Sequence, residues 1–219
     1  VKTITIDMSF PYIAFIKTYF PNAAIHIDKF HLVQALTREL NRHRVSVMNR
    51  YKVHNRPLYN QFKRYWKLFL LSPDKLNAQI YTKMPLFKTL TNTQNIVTYL
   101  LSHDEVLKNS YELMHDLLEA IRQGDKLQFD ELLLSARNQS IALGLRRQIG
   151  TFKRLLPYIH NTFNAPQLSN GSIEGLNNKI KVLKRNAFGY RSFTYFRARI
   201  LLMIKLFSSY EKTVIHLSA

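Results

Sequence analysis

Three acids stand out by position. Asp7 closes the β-rich run Val1–Ile6, and Asp28 closes a second short apolar run, Ala23–Ile27. Glu174 is the one acid in the 79 residues from 132 to 210, a stretch that holds 13 Lys and Arg. Carboxylates of this kind do one of two things. They accept backbone N–H groups at helix starts, or they hold hard cations through oxygen. Asp7 reads either as a turn or cap residue or as a site residue. Asp28 has the same pair of readings, and His31 follows it at Asp-x-x-His spacing, weak for a metal and common for a capping or core histidine. Glu174 suits the first turn of a helix, where the dipole favours an anion. At helical spacing Glu174, Asn178, Lys181 and Arg185 fall on one stripe, away from Ile173, Leu176, Ile180 and Leu183. One carboxylate aligned with an amide and two cations suits a face turned to a metal-bound phosphodiester. It suits a solvated basic face equally well.

A second group of residues is arranged for polyanions. Residues 50–69 interleave cations with aromatics, from Arg50-Tyr51-Lys52 to Phe62-Lys63-Arg64-Tyr65-Trp66-Lys67. Such a stretch grips phosphates and stacks on exposed bases, or else buries its aromatics and leaves its cations in water.

The elements that must position these residues are legible from periodicity. Val1–Ile6 and Ala23–Ile27 read as strands, with a helix from Phe10 to Phe20 between them and Pro11 in its first turn. A βαβ unit makes the two strands parallel and puts both aspartates at their carboxyl ends, where open α/β sheets place ligands. From Lys29 onward the pattern is helical, beginning with a helix over Lys29–Asn49. Leu107, Tyr111, Met114, Leu118 and Ile121 recur in steps of 4, 3, 4 and 3, an amphipathic face. Gly124 reads as its stop and Asp125 as the next cap. Ile141–Phe163 reads as a helix kinked at Pro157, Asn164–Ser172 as a polar linker, and Ile173–Arg185 and Phe193–Phe207 as the last helices. Two parallel strands are too few for a stable sheet, so further strands are expected upstream of this sequence.

Composition sets the outer limits. The chain has 219 residues, 46% of them hydrophobic, enough to bury a sizeable core. It has no cysteine, which excludes a disulfide framework, a thiolate zinc site and a thiol nucleophile. No apolar run is long enough for a membrane span, and the start has no signal-peptide pattern. Lys and Arg number 32 against 14 Asp and Glu, a net charge of +18. That excess sits in two blocks, net +8 over residues 40–73 and net +12 over 132–210, around a middle of net −3. A polyanion is the expected partner, and nucleic acid is the commonest one.

Taken in order, Ile4-Thr5-Ile6-Asp7-Met8-Ser9, then Pro21-Asn22-Ala23-Ala24-Ile25 with Asp28-Lys29-Phe30-His31, then Ser169-Asn170-Gly171 through Glu174-Gly175-Leu176-Asn177-Asn178-Lys179-Ile180-Lys181, and the tail Lys184-Arg185-Asn186-Ala187-Phe188-Gly189-Tyr190-Arg191-Ser192-Phe193 resemble bacterial insertion-sequence transposases of the ISL-three type, which carry a DDE catalytic domain. Each motif alone is modest, and the ordered set is specific. The resemblance runs from about residue 1 to 207.

The resemblance implies an α/β, predominantly α-helical chain: a partial ribonuclease-H-like fold of two parallel strands with a large all-helical insertion. It divides the chain into a β-α-β segment over 1–39, the helical insertion over 40–165, and C-terminal helices over 166–219 that carry the glutamate. It makes Asp7 and Glu174 the second and third catalytic carboxylates of a two-metal Mg²⁺ site, which Mn²⁺ can also fill. Asp28 and His31 match an auxiliary Asp-x-x-His element. Beside these, the stripe offers Asn178, Lys181 and Arg185 as DNA contacts, and the interleaved stretch offers Lys63 and Arg64. The implied reaction is DNA phosphodiester cleavage followed by strand transfer. The implied partners are double-stranded DNA, both transposon end and target, and a further copy in a homo-oligomer, with no membrane involved. The expected location is the bacterial cytoplasm, at the nucleoid.

The family's first aspartate lies on an earlier strand and has no counterpart before Asp7. The expectation is therefore the C-terminal portion of a transposase, inactive on its own. Two readings stand beside it, a non-catalytic DNA-binding regulator and an RNA-binding helical module, the latter leaving Glu174 without a role.

Overall fold

The computed structural model describes residues 1–165, 167–168 and 170–216, leaving aside the side chains of Ser172 and 205–216. Ser169 of the glutamate motif, and Pro166 and Ser169 of the expected linker, lie outside the described residues. The chain divides into two compact units, Val1–Ser169 and Asn170–Ala219.

The first unit opens with the expected crossover. Strand β1 (Thr3–Ile6) pairs in parallel with β2 (Ala24–Ile27), in register from Thr3 opposite Ala24 to Ile6 opposite Ile27. Helix α1 (Phe10–Tyr19) joins them, with Pro11 in its first turn and Ile13 and Ile16 buried. The 26-residue helix α2 (Lys29–His54) follows directly and runs on past the expected Asn49. It carries Leu32, Leu36, Leu40 and Val47 into the core at no measurable exposure.

Short polar side chains set where the next helices begin. α3 (Arg56–Arg64), α4 (Thr93–Leu101), α5 (Glu105–Gln123) and α6 (Lys126–Ser135) start at Asn55, Asn92, Asp104 and Asp125. Each of these accepts from a backbone N–H three residues on, as an N-cap should. α5 buries Leu107, Tyr111, Met114 and Ile121 as its periodicity predicts, and it ends at Gly124 in the left-handed region, φ 73°. α7 (Leu143–Asn164) runs through Pro157. α2 packs against α3, α5 and α7, and α7 packs against β2.

The insertion expected to be all-helical over 40–165 is interrupted. Between α3 and α4 the chain makes two 3₁₀ turns, Trp66–Leu70 and Pro73–Lys75. A short antiparallel pair follows, β3 (Thr82–Lys83) with β4 (Leu90–Thr91). Pro73 and Pro85 each remove a backbone donor, and Leu86 sits at φ 69°, so no continuous helix can cross this stretch. The stretch is fastened to α3 instead: Gln61 donates to the Leu86 carbonyl at 2.8 Å, and the Tyr65 hydroxyl donates to the Pro85 carbonyl.

The second unit holds α8 (Gly171–Asn186) and α9 (Phe193–His216). Among the described residues, no helix is long and apolar enough to cross a membrane.

Candidate active site

The two aspartates stand at the carboxyl ends of neighbouring strands, one residue beyond the paired Ile6 and Ile27. Their roles differ. Asp28 is buried, its backbone N–H donates to the Ile6 carbonyl at 2.9 Å, and its Oδ1 accepts from Phe30 N–H at 2.8 Å. It is the N-cap of α2, so the capping reading of this residue holds. That cap fixes the direction in which α2 leaves the sheet. One turn in, His31 Nε2 lies 2.7 Å from Asp7 Oδ1. The spacing Asp-x-x-His thus joins a cap to a histidine that reaches the adjacent strand end. The Asp7 side chain remains 55% exposed, against 23% for His31, so a carboxylate oriented by an imidazole faces solvent at the sheet's edge.

What holds this edge in place comes from far along the chain. Thr162 on α7, itself buried, accepts from Ile27 N–H at 2.9 Å and donates to the Ile27 carbonyl at 2.7 Å. Asn161 donates to the Ile25 carbonyl at 2.9 Å. The outer edge of β2 is therefore closed by two side chains of a helix, which satisfies backbone groups that a third strand would otherwise pair. Sequence reasoning did not single out Asn161 or Thr162. Their only local signal is a pair of polar residues in the last turns of a helix otherwise rich in buried apolar side chains.

Glu174 lies in the second unit, in the first turn of α8, where its N–H donates to the Asn170 carbonyl at 2.9 Å. Glu174, Asn178, Lys181 and Arg185 are all exposed, so the stripe predicted from spacing is a solvent-facing one. The Glu174 carboxylate has no ion pair or hydrogen bond to a side chain among the described residues. Of the apolar face expected to pack this helix, Leu176, Ile180 and Leu183 are half-buried and Ile173 is exposed.

The interleaved stretch 50–69 resolves in a mixed way. Phe62, Tyr65 and Phe69 are buried, Tyr51 and Tyr59 half-buried, and Phe62 lies 6.1 Å from Tyr51 and 6.2 Å from Phe69. The three buried rings are core and closed to base stacking, Tyr51 and Tyr59 pack against that core, and Trp66 is exposed. Lys52, Arg56, Lys63, Arg64 and Lys67 are exposed and remain available to phosphates. Arg50 is occupied: with His43 it reaches Asp104 at 2.7 and 3.4 Å and ties α2 to the start of α5. Burial of Asp104 works against its charged form, but the Leu107 N–H, His43 and Arg50 outweigh this and hold its carboxyl below the usual range.

No group of three or more His, Asp or Glu among the described residues could hold a metal ion. Asp7 brings the one carboxylate of this strand edge that is open to solvent, since Asp28 is buried as a cap.

A small parallel sheet with acids at its carboxyl edge, packed against a helix and set in a strongly basic chain, defines a class of α/β, predominantly helical proteins suited to polyanions. The comparison with known families narrows this. A transposase family model, of the ISL-three type, matches residues 1–200, and the chain belongs to that family. Among curated proteins it is 29% identical over 204 residues to the transposase for insertion sequence element IS1001 of Bordetella parapertussis, across 91% of this chain and 47% of that one. It is 36% identical over 144 residues to a Lactococcus lactis protein named ATP-dependent protease, across 66% of this chain and 44% of the relative. The chain thus spans less than half the length of the curated relatives it matches. No solved structure matches it.

Proposed function

We propose that this chain is the DNA-processing part of an insertion-sequence transposase. In this reading Asp7 and Glu174 are two of the carboxylates that hold Mg²⁺, in a ribonuclease-H-like core of which β1 and β2 are part. The observation that carries the reading is Asp7: a half-exposed carboxylate at the carboxyl edge of a parallel pair, oriented by His31, in a chain of the transposase family. Carboxylate oxygens suit Mg²⁺, and Glu174 offers the same donor chemistry from the second unit. Bound there, the metal would activate the attacking oxygen and stabilise the leaving oxygen of a phosphodiester. The chain's own residues do the rest. His31 fixes the orientation of Asp7 through Oδ1. Asp28 fixes α2, and with it His31. Asn178, Lys181 and Arg185 on the Glu174 stripe, with Lys63 and Arg64, bind and align phosphates. Of the three carboxylates such a site uses, these 219 residues supply two, so the chain by itself is expected not to cut DNA. A homo-oligomer is part of the same proposal.

A second reading, a DNA-binding protein without catalysis, is favoured by the same shortfall and by the two basic blocks of net +8 and +12. The protease relative suggests ATP-dependent chemistry. None of the chain's six glycines begins the Gly-x-x-x-x-Gly-Lys-Ser/Thr loop that would cradle a triphosphate, so that name finds no counterpart in these residues.

Two measurements test the proposal. Affinity for duplex DNA should fall at least about a hundredfold between 50 and 200 mM salt, as multiple phosphate contacts require. Nearly flat salt dependence sinks the DNA reading. The absence of native cysteine makes Asp7→Cys with Glu174→Cys a clean cross-linking pair. A disulfide or a short bis-maleimide cross-link formed in the presence of DNA supports one shared site, and failure of both reagents removes Glu174 from it.

A further inference from the structure

We propose that Phe188, at the tip of the turn that ends α8, stacks on an unstacked DNA base. This rests on the DNA reading above and adds a contact that is not to phosphate.

The argument begins with the backbone. Gly189 N–H donates to the Lys184 carbonyl at 3.1 Å, and Phe188 N–H donates to the Arg185 carbonyl at 3.0 Å. This pair of bonds is the Schellman helix stop, and it requires a left-handed residue at the position of Phe188, normally glycine or asparagine. Phe188 has φ 51°, one of two non-glycine residues with positive φ among those described. A bulky residue there costs free energy that glycine would not. The chain has a glycine, but one position later, at φ 97°. The turn therefore gives no reason for phenylalanine at 188.

Packing gives none either. Phe188 is fully exposed. The neighbouring Tyr190 does pack, its ring 4.8 Å from that of Phe196, so the turn is anchored while its tip is left bare. Around the tip stand Lys184, Arg185 and Arg191, all exposed. Across residues 170–204 there are seven Lys and Arg, every one exposed, and a single acid, Glu174. Phe193 and Tyr195 are exposed in the same unit as well, but the charged residues that flank Phe188 at the turn are all cations. A ring among cations fits a strand whose phosphates the cations hold while one base lies against the ring. Such stacking needs no particular base, because every base has a π face.

The test uses the 219-residue chain and two oligonucleotides at fixed salt, a blunt duplex and a fork with unpaired bases. Phe188→Ala should weaken binding to the fork about tenfold or more, with much less effect on the duplex and an unchanged salt slope. Phe188→Tyr should bind as the parent does. Trp66 is the single tryptophan. Phe188→Trp in a Trp66→Phe background should therefore report stacking as fluorescence quenching on the fork. Four results overturn the inference: equal affinity of Phe188→Ala and parent for the fork, equal loss on both DNAs, binding of the Trp reporter without quenching, or a Phe188→Ala chain that melts lower or changes oligomeric size before DNA is added, which would mean that protein covers the ring. If the parent chain binds neither DNA, the transposase reading falls with it. If the parent binds with steep salt dependence and Phe188→Ala matches it, only the stacking falls.

Discussion

Thr162→Val removes one hydroxyl and nearly nothing else, which makes it the sharpest probe of how the strand edge is held. The Thr162 hydroxyl serves both backbone groups of Ile27, at 2.9 and 2.7 Å, and Ile27 has no measurable exposure. Valine keeps the shape and offers neither donor nor acceptor. Two buried backbone groups then lose their partner where water cannot replace it. At roughly 1–3 kcal/mol for each unsatisfied group, the first unit should lose about 2–6 kcal/mol. For a unit of this size that is a melting shift on the order of 5–25 °C. Thr162→Ser retains the hydroxyl and loses one methyl, about 1 kcal/mol, and serves as the control. Urea unfolding followed by circular dichroism measures both variants. A valine variant within about 0.5 kcal/mol of the parent, or a serine variant as damaged as the valine one, would refute the idea that this hydroxyl closes the edge of β2.

Two further outcomes follow from the same structure. Burial pushes the His115 imidazole below its usual 6.5, only partly offset by its hydrogen bond to the Phe69 carbonyl at 3.1 Å, and burial lowers His26 likewise. The unfolded chain then binds more protons than the folded one once pH drops below about 6.5, so stability is full above that pH and declines as pH falls through it toward the folded values. Denaturation at pH 7.5 and 5.5 should show the decline, and His115→Gln should flatten part of it; a slope unaltered by that substitution would remove His115 from the account. Phe188→Gly should raise stability by about 1 kcal/mol, since it relieves a left-handed phenylalanine that buries nothing. A lower melting temperature in that variant would show that the ring is packed after all.

Much of the local structure was legible in the residues. The strand–helix–strand opening, its parallel pairing, the Leu107 to Ile121 face, the stop at Gly124 and the cap at Asp125 all follow from period, propensity and capping chemistry, which act over a few residues. The ordered motifs sufficed for the family. The proline-broken stretch from 66 to 91 did not announce itself, because short 3₁₀ turns and a two-residue strand pair have too little period to detect. The interleaved aromatics between 50 and 69 could have been core or contact surface, since side-chain type does not say which way a helix faces until its neighbours are present. Tertiary structure also decided what Asp28 and His31 do: spacing put them near Asp7, but only the departure of α2 from the sheet makes one a cap and the other a partner to the carboxylate. Thr162 and Asn161 lie about 135 residues from the strand they close. Contacts across such separations leave no periodic trace in a single sequence, because what selects them is the geometry of the packed helix against the strand.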